Sequence, residues 1–289
     1  MKKLWLGVFL SALSFQVTAD FTIENVGFST PEAMEYSAVN DRYLVANING
    51  SPFGKDNNGF ISMVSPEGKL EALKWIEGGK NGVELNAPKG MVAIKDRLYV
   101  ADIDHLRVFS LPAGKLLKSI HVPDAGFLNG VSIAKQGGVW VTDSGVKEGF
   151  KPNGKDAIYH ISEDGEITTL TKGEDLGRPN GILQRGDELM MVTIFSGEVH
   201  HFDLNGKLLR TEKQPFNRID GLIEDTNGNV IFSSWKDQGA SQWQEGKPLK
   251  QLFSEMESPA DLGVDTKRNR LLIPSFLGNK IWVKDLSDS

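Results

Sequence analysis

PNGILQRGDELMMVTIF, residues 179–195, opens on Pro-Asn-Gly, runs through a short apolar stretch, turns over the polar residues 184–188 and ends in a second apolar run. Two short strands joined by a tight turn is the local reading. The chain repeats this phrase six times. The other copies are PEAMEYSAVNDRYLVANI from 31, PKGMVAIKDRLYVADID from 88, LNGVSIAKQGGVWVTDS from 128, IDGLIEDTNGNVIFSSW from 219 and PADLGVDTKRNRLLIPSF from 259. The residue after the opening Pro, Leu or Ile is Glu32, Lys89, Asn129, Asn180, Asp220 and Ala260, at intervals of 57, 40, 51, 40 and 40 residues.

Most copies are followed by two further strand-like segments, within 59–75, 106–122, 157–171 and 197–212. Their inner turns, Pro-Glu-Gly, Glu-Asp-Gly and Leu-Asn-Gly, suit hairpins because Gly and Asn accept positive φ at low cost. Four strands per unit at a period near ~40 residues mark an all-β chain as a six-bladed β-propeller. The two long intervals hold polar inserts, 49–59 and 145–155, each between the second and third strands of its blade. Both then rise on one side of the disc, where loops shape a ligand mouth. The final unit supplies strands near 259–264, 271–276 and 280–285, and the N-terminal strand 21–26 has no sheet of its own. Pairing the two closes the last blade and hides an open edge. Residues 20–289 read as a single propeller domain.

Lys2 and Lys3, the apolar run 4–15 and the small residues of Val17-Thr18-Ala19 form a secretory signal, residues 1–19. The run is shorter than the ~20 residues a bilayer span needs, so the expectation is cleavage after Ala19, periplasmic delivery and no stable membrane anchor afterwards. A formal charge of −6 without any Lys/Arg-rich run argues against a nucleic-acid-binding surface. The absence of cysteine excludes disulfides, thiolate nucleophiles and cysteine-ligated metals. The five histidines show no metal-ligand spacing, and no G-x-S-x-G nucleophile elbow is present.

In a propeller the innermost strand of each blade lines the channel, so the six opening residues ring one mouth. Two carboxylates and two amides among them offer hard oxygen ligands, which suit Ca²⁺ best. Mg²⁺ or Mn²⁺ remain open because the sequence does not fix the cavity size. Lys89, in the same ring, offers an internal counter-ion as the alternative to a metal. Asp102 and Asp143 close second strands, as does Trp235, and all three are candidates to line the mouth together with Phe127 and Lys89.

Through this repeat phrasing, and through Glu32, Asn129 in FLNGV, Asn180 in PNG and Asp220 in IDG, the chain resembles the senescence marker protein/gluconolactonase/luciferin-regenerating enzyme family of six-bladed propellers. The resemblance covers essentially the whole chain after the signal. It implies a divalent metal held by Glu32, Asn180 and Asp220, with Asn129 in the site and Asp220 as a candidate base. It further implies hydrolysis of a small lactone or ester whose carbonyl the metal polarises. Two departures stand out: Phe127 where family lactonases often carry an Arg, and Lys89 in the second blade. They keep open a non-catalytic periplasmic propeller that binds a protein, peptide or glycan on its loop-decorated face.

Overall fold

The computed structural model describes residues 20–286, and the expected secretion signal, 1–19, lies outside them. Six four-stranded antiparallel sheets follow one another round a channel, each meandering from an inner to an outer strand. Blade 1 is built from Pro31–Ser37, Arg42–Asn47, Phe60–Val64 and Leu70–Glu77, and blades 2 to 5 repeat that order. Blade 6 takes Gly263–Asp265, Arg270–Ser275 and Lys280–Asp285 from the C-terminal end, and its outer strand is Phe21–Ile23 from the other end. Phe21 lies opposite Val283 and Ile23 opposite Ile281. The expected closure of the last blade by the N-terminal strand is therefore what the chain adopts. Among the described residues no helix is long and apolar enough to cross a membrane.

The packing explains why the second strands read as unbroken apolar runs such as LYVA at 98–101. Successive side chains of a strand face opposite sides of its sheet, and here both sides are covered by a neighbouring blade. Leu44 and Ala46 pack toward blade 2, whereas Tyr43 and Val45 pack toward blade 6. Among the described residues six apolar clusters lie one between each consecutive pair of blades, with a small seventh of Ile48, Ala87 and Ile103 beside Phe276, in place of one central core. Trp140, Trp243 and Trp282 are spent in these seams.

Round the channel the blades meet backbone to backbone. An added Cβ at Gly90 would stand 2.5 Å from the Asn129 carbonyl oxygen, one at Gly130 2.5 Å from that of Asn180, and one at Gly181 2.6 Å from that of Asp220. None of these three glycines has positive φ. The sequence suggests turn chemistry for the Asn-Gly and Asp-Gly pairs. They lie instead inside the innermost strands, and glycine is required by the close approach of the next blade.

The first strands also share a defect. In blades 1 to 5 the ladder between first and second strand slips immediately after the opening residue, between Pro31 and Ala33, Pro88 and Met91, Leu128 and Val131, Pro179 and Ile182, and Ile219 and Leu222. A bulge of this kind re-aims a side chain out of the pleat. It falls on Glu32, Lys89, Asn129, Asn180 and Asp220. Repeat architecture and site geometry are thus joined at one backbone irregularity.

Candidate functional site

The five bulged side chains line one cavity of about 290 Å³ at the channel mouth, while Ala260, the sixth, is fully buried outside its lining. Asn180 Nδ2 donates to Asp220 Oδ1 at 3.1 Å, and Trp235 Nε1 donates to Asp220 Oδ2 at 2.8 Å. Asn129 Nδ2 donates to Ser144 Oγ at 3.1 Å, and that hydroxyl donates on to the Pro179 carbonyl at 2.6 Å, which ties blade 3 to blade 4. Glu32 Oε2 is buried and has no hydrogen-bond partner among the described residues. Lys89, 1% exposed, donates to the Ala87 carbonyl at 3.1 Å and holds its ammonium 4.3 Å from the centre of the Phe127 ring. It forms no ion pair with Glu32 or Asp220. The internal counter-ion considered from the sequence does not take the form of a direct contact.

The electrostatics follow from burying like charges together. Burial raises Asp220 to about 7, against the opposing pull of its bonds to Trp235 and Asn180. Glu32 is pushed well above the usual carboxylate range by burial first, then by the charges of Asp220 and Asp261. Burial lowers Lys89 to about 8, although Glu32, Asp102 and Asp143 pull it the other way. The floor is therefore a group of acids that protein dipoles alone do not fully accommodate.

Asp102 and Asp143 are not in the cavity lining. Asp102 Oδ1 accepts from the backbone N–H groups of Asn86 and Ala87, and its Oδ2 pairs with the buried Arg107 at 2.9 Å. Asp143 accepts from the N–H groups of Gly126, Phe127 and Gly145. The expectation that they line the mouth is corrected: their oxygens are consumed mainly by the loop that leads into each first strand, with Arg107 and the Gly145 N–H taking the rest. Phe127 and Trp235 do line it.

Sequence reasoning missed Asp261. Aligned on the opening residues, the next position is Ala33, Gly90, Gly130, Gly181, Gly221 and, in blade 6, Asp261. Asp261 lines a second cavity among the first strands of the blades, and burial and then the charge of Asp220 raise it to about 8. The signal was present as the one large side chain in a register of small ones. Also unforeseen were Ile48, Phe150, Ile194 and Phe276 in the apolar walls. The two inserts do meet over the mouth, as expected of loops on one side: Phe53 lies 4.9 Å from Phe127 and 5.1 Å from Phe150, between ring centres. Lys55 anchors the first insert on Asp104 at 2.5 Å. On the far wall the Trp235 and Phe276 rings meet at a tilt of 48°, with 5.0 Å between centres.

Among the described residues no three His, Cys, Asp or Glu side chains form a metal-holding group. A cation here would depend on the amide oxygens as well as the two carboxylates. Glu32, Asn180 and Asp220, with Asn129 beside them, are a set of hard oxygens of that kind, and the unpartnered Glu32 Oε2 fits such a guest.

A six-bladed propeller with a polar-floored cavity at one mouth is the class of protein that fold and site define. The sequence model of the SMP-30/Gluconolactonase/LRE-like region matches residues 61–262, and the chain belongs to that family. No curated protein sequence matches the chain. Among solved structures, a Xanthomonas campestris gluconolactonase superposes with a TM-score of 0.68 at 16% identity, over 89% of this chain and 86% of that one. Virginiamycin B lyase from Staphylococcus aureus gives 0.61 at 14% identity, over 92% and 97%. The WD40 propeller domain of Doa1 gives 0.58 at 12%, over 87% and 77%. At such identities the likeness is one of fold.

Proposed function

We propose that this gluconolactonase-like propeller is a periplasmic, divalent-metal-dependent hydrolase of lactone-like esters, with Ca²⁺ as the metal. The observation that supports it most is the convergence of Glu32, Asn129, Asn180 and Asp220, from four blades, on one cavity where Glu32 Oε2 has no partner. Glu32, Asn180 and Asp220 are the residues to hold the metal. When bound, a divalent cation supplies Lewis acidity that polarises the scissile carbonyl, an effect worth several kcal/mol. Trp235 and Asn180 fix the Asp220 carboxylate from both sides, so its remaining lone pairs are aimed rather than free, and it orients the attacking water. The Ser144 hydroxyl fixes the Asn129 amide nitrogen and thereby the direction of its carbonyl end against the substrate. The ring cluster of Phe53, Phe127 and Phe150 restricts bulk water above the floor.

Calorimetric titration with Ca²⁺, with Asp220→Ala as control, tests the metal, and a panel of lactones and esters tests turnover. Binding in the parent protein, its loss in the variant and metal-dependent hydrolysis are the expected results. Absence of binding down to millimolar affinity defeats the reading. Intact metal binding without turnover on any cyclic ester would transfer it to non-catalytic capture of a protein, peptide or glycan on the face carrying the two inserts.

A further inference from the structure

Above its polar floor the cavity is walled by Ile48, Phe127, Phe150, Ile194, Trp235 and Phe276. Much of the floor's polarity is already committed, Asn180 to Asp220, Asp220 to Trp235 and Asn129 to Ser144, which leaves Glu32 Oε2 as its unpartnered acceptor. A polyhydroxylated ring seated here would turn most of its hydroxyls toward aromatic and aliphatic carbon. Each hydroxyl stripped of water without a new partner weakens binding by about tenfold. A flat apolar ring meets no such penalty and gains contact with aromatic side chains of the wall.

One lining residue breaks the apolar wall. Arg218 stands two positions before Asp220, on left-handed backbone at φ 57°, and its carbonyl accepts the Trp235 N–H at 3.0 Å. Its backbone is thus fixed at the cavity, while its exposed guanidinium has neither a hydrogen bond nor an ion pair with any described residue. Arg178 occupies the same position relative to Asn180, and its guanidinium is held by Asp156 at 2.9 Å. Of the two arginines in this register, only Arg218 remains available to a ligand. A guanidinium matches a carboxylate in a bidentate geometry. Arg218 therefore offers the cavity wall an unpaired cationic group to receive one.

We propose that the ligand class of this cavity is an aryl compound with an anionic carboxylate at one end, rather than a sugar acid or its lactone. The aryl body lies against Phe127, Trp235 and Phe276, the carboxylate is received by Arg218, and a reacting ester carbonyl points to the floor. This assignment rests on the reading of the cavity as the active site.

Binding of cinnamate, its neutral analogue cinnamamide, and gluconate, measured by calorimetry on the folded protein, tests it. The expected order is cinnamate first, about tenfold tighter than cinnamamide for one charge-assisted contact, with gluconate weakest. Arg218→Gln, at an exposed position with no partners to lose, brings cinnamate down to the affinity of the amide. Phe127→Ala weakens both aryl ligands. Gluconate binding more tightly than cinnamate overturns the aryl body, and an acid-to-amide ratio unmoved by Arg218→Gln overturns the anchor. The readout does not depend on turnover. Cinnamate capture without lactone hydrolysis leaves this assignment standing and removes the hydrolase, whereas gluconolactone turnover without cinnamate capture does the reverse.

Discussion

Each blade turns two side-chain positions toward the same end of the disc, one opening its first strand and one closing its second. The closing residues are Asn47, Asp102, Asp143, Thr193, Ser234 and Ser275, all polar and essentially sealed from solvent. In blades 1 to 5 each lies across the ladder from the residue just before the bulge, as Asp102 does from Pro88 and Thr193 from Pro179. Most are spent on the incoming loop. Asn47 accepts from the Ser29 N–H, Asp102 and Asp143 from two or three amides each, while the Ser234 and Ser275 hydroxyls donate to the Asn217 and Glu257 carbonyls. The opening residues differ in chemistry from blade to blade and satisfy one another poorly. Buried polarity of equal depth serves the ring in one register and is left free for a guest in the other.

Exchanging the two registers should produce the largest effect. Asp102→Ala removes the acceptor of two backbone amides and leaves the buried Arg107 with only the more exposed Glu84 as a carboxylate partner, a loss of about 3–5 kcal/mol, read as a lower midpoint in urea unfolding. Asp220→Asn, at 4% exposure and in the same fold position one register away, should leave stability near neutral pH unchanged or raise it, because it removes a crowded charge. Calcium binding by calorimetry should be lost in the second variant. Equal destabilisation by both substitutions would erase the distinction.

The acids of the channel make the same point through pH. Burial raises Glu35 to about 8, against the bond from the Ala93 N–H, and Asp261 to about 8, while Asp220 reaches about 7. Each of these groups binds its proton more tightly folded than unfolded, so ionisation opposes folding. The stability they contribute is complete below their unfolded values, near 4, and declines as pH climbs toward 8. Since Glu35 and Asp261 keep partial solvent contact, the expected decline from pH 5 to 8 is about 3 kcal/mol rather than the sum of three independent shifts. Thermal melts across that range should show it, Asp261→Asn should flatten part of it, and saturating Ca²⁺ should flatten more. A melting temperature that rises over the same window would contradict the electrostatic account.

Gly181→Ala tests the backbone that supports the opening register. Its Cβ would meet the Asp220 carbonyl oxygen at 2.6 Å and the Leu222 nitrogen at 2.7 Å, both main-chain atoms of the next blade. Overpacking of this kind costs about 2 kcal/mol, and because the clash lands on Asp220 the calcium affinity should fall with it. Gly186→Ala, where a Cβ meets nothing within 4 Å but φ is 58°, is the control for glycine backbone strain without a clash. It should leave calcium affinity alone.

The propeller was legible because its evidence is local and repeated. A strand-turn-strand phrase recurring six times fixes blade number, strand order and even the closing strand. The opening register was legible for the same reason, as variation within a repeat. What escaped depends on contacts between blades. Gly181 looks like half of a turn until Asp220 of the next blade is placed 2.6 Å away. Asp102 looks like a mouth residue until Arg107 and two amides claim it. The ring contact of Phe53 with Phe150 joins two inserts from different blades, and no local pattern announces which aromatic side chains will converge.

Trp235 sits where the two registers touch, since it follows the closing Ser234 and donates to the opening Asp220. Trp235→Phe keeps an aromatic ring beside Phe276 and deletes the indole N–H. With no metal bound, Asp220 then loses one of the two bonds that hold its pKa down, so the pH-dependent decline in stability should shift slightly further upward. With metal bound, the carboxylate is less firmly aimed, and one hydrogen bond to a charged group at about 1.5 kcal/mol corresponds to roughly tenfold weaker calcium binding. The fold should be unaffected, because the seam clusters contain neither ring. If Trp235→Phe leaves calcium affinity unchanged while lowering the melting temperature, Trp235 belongs to the closing register and works for the ring alone. Weaker binding at an unchanged melting temperature places it with the opening residues.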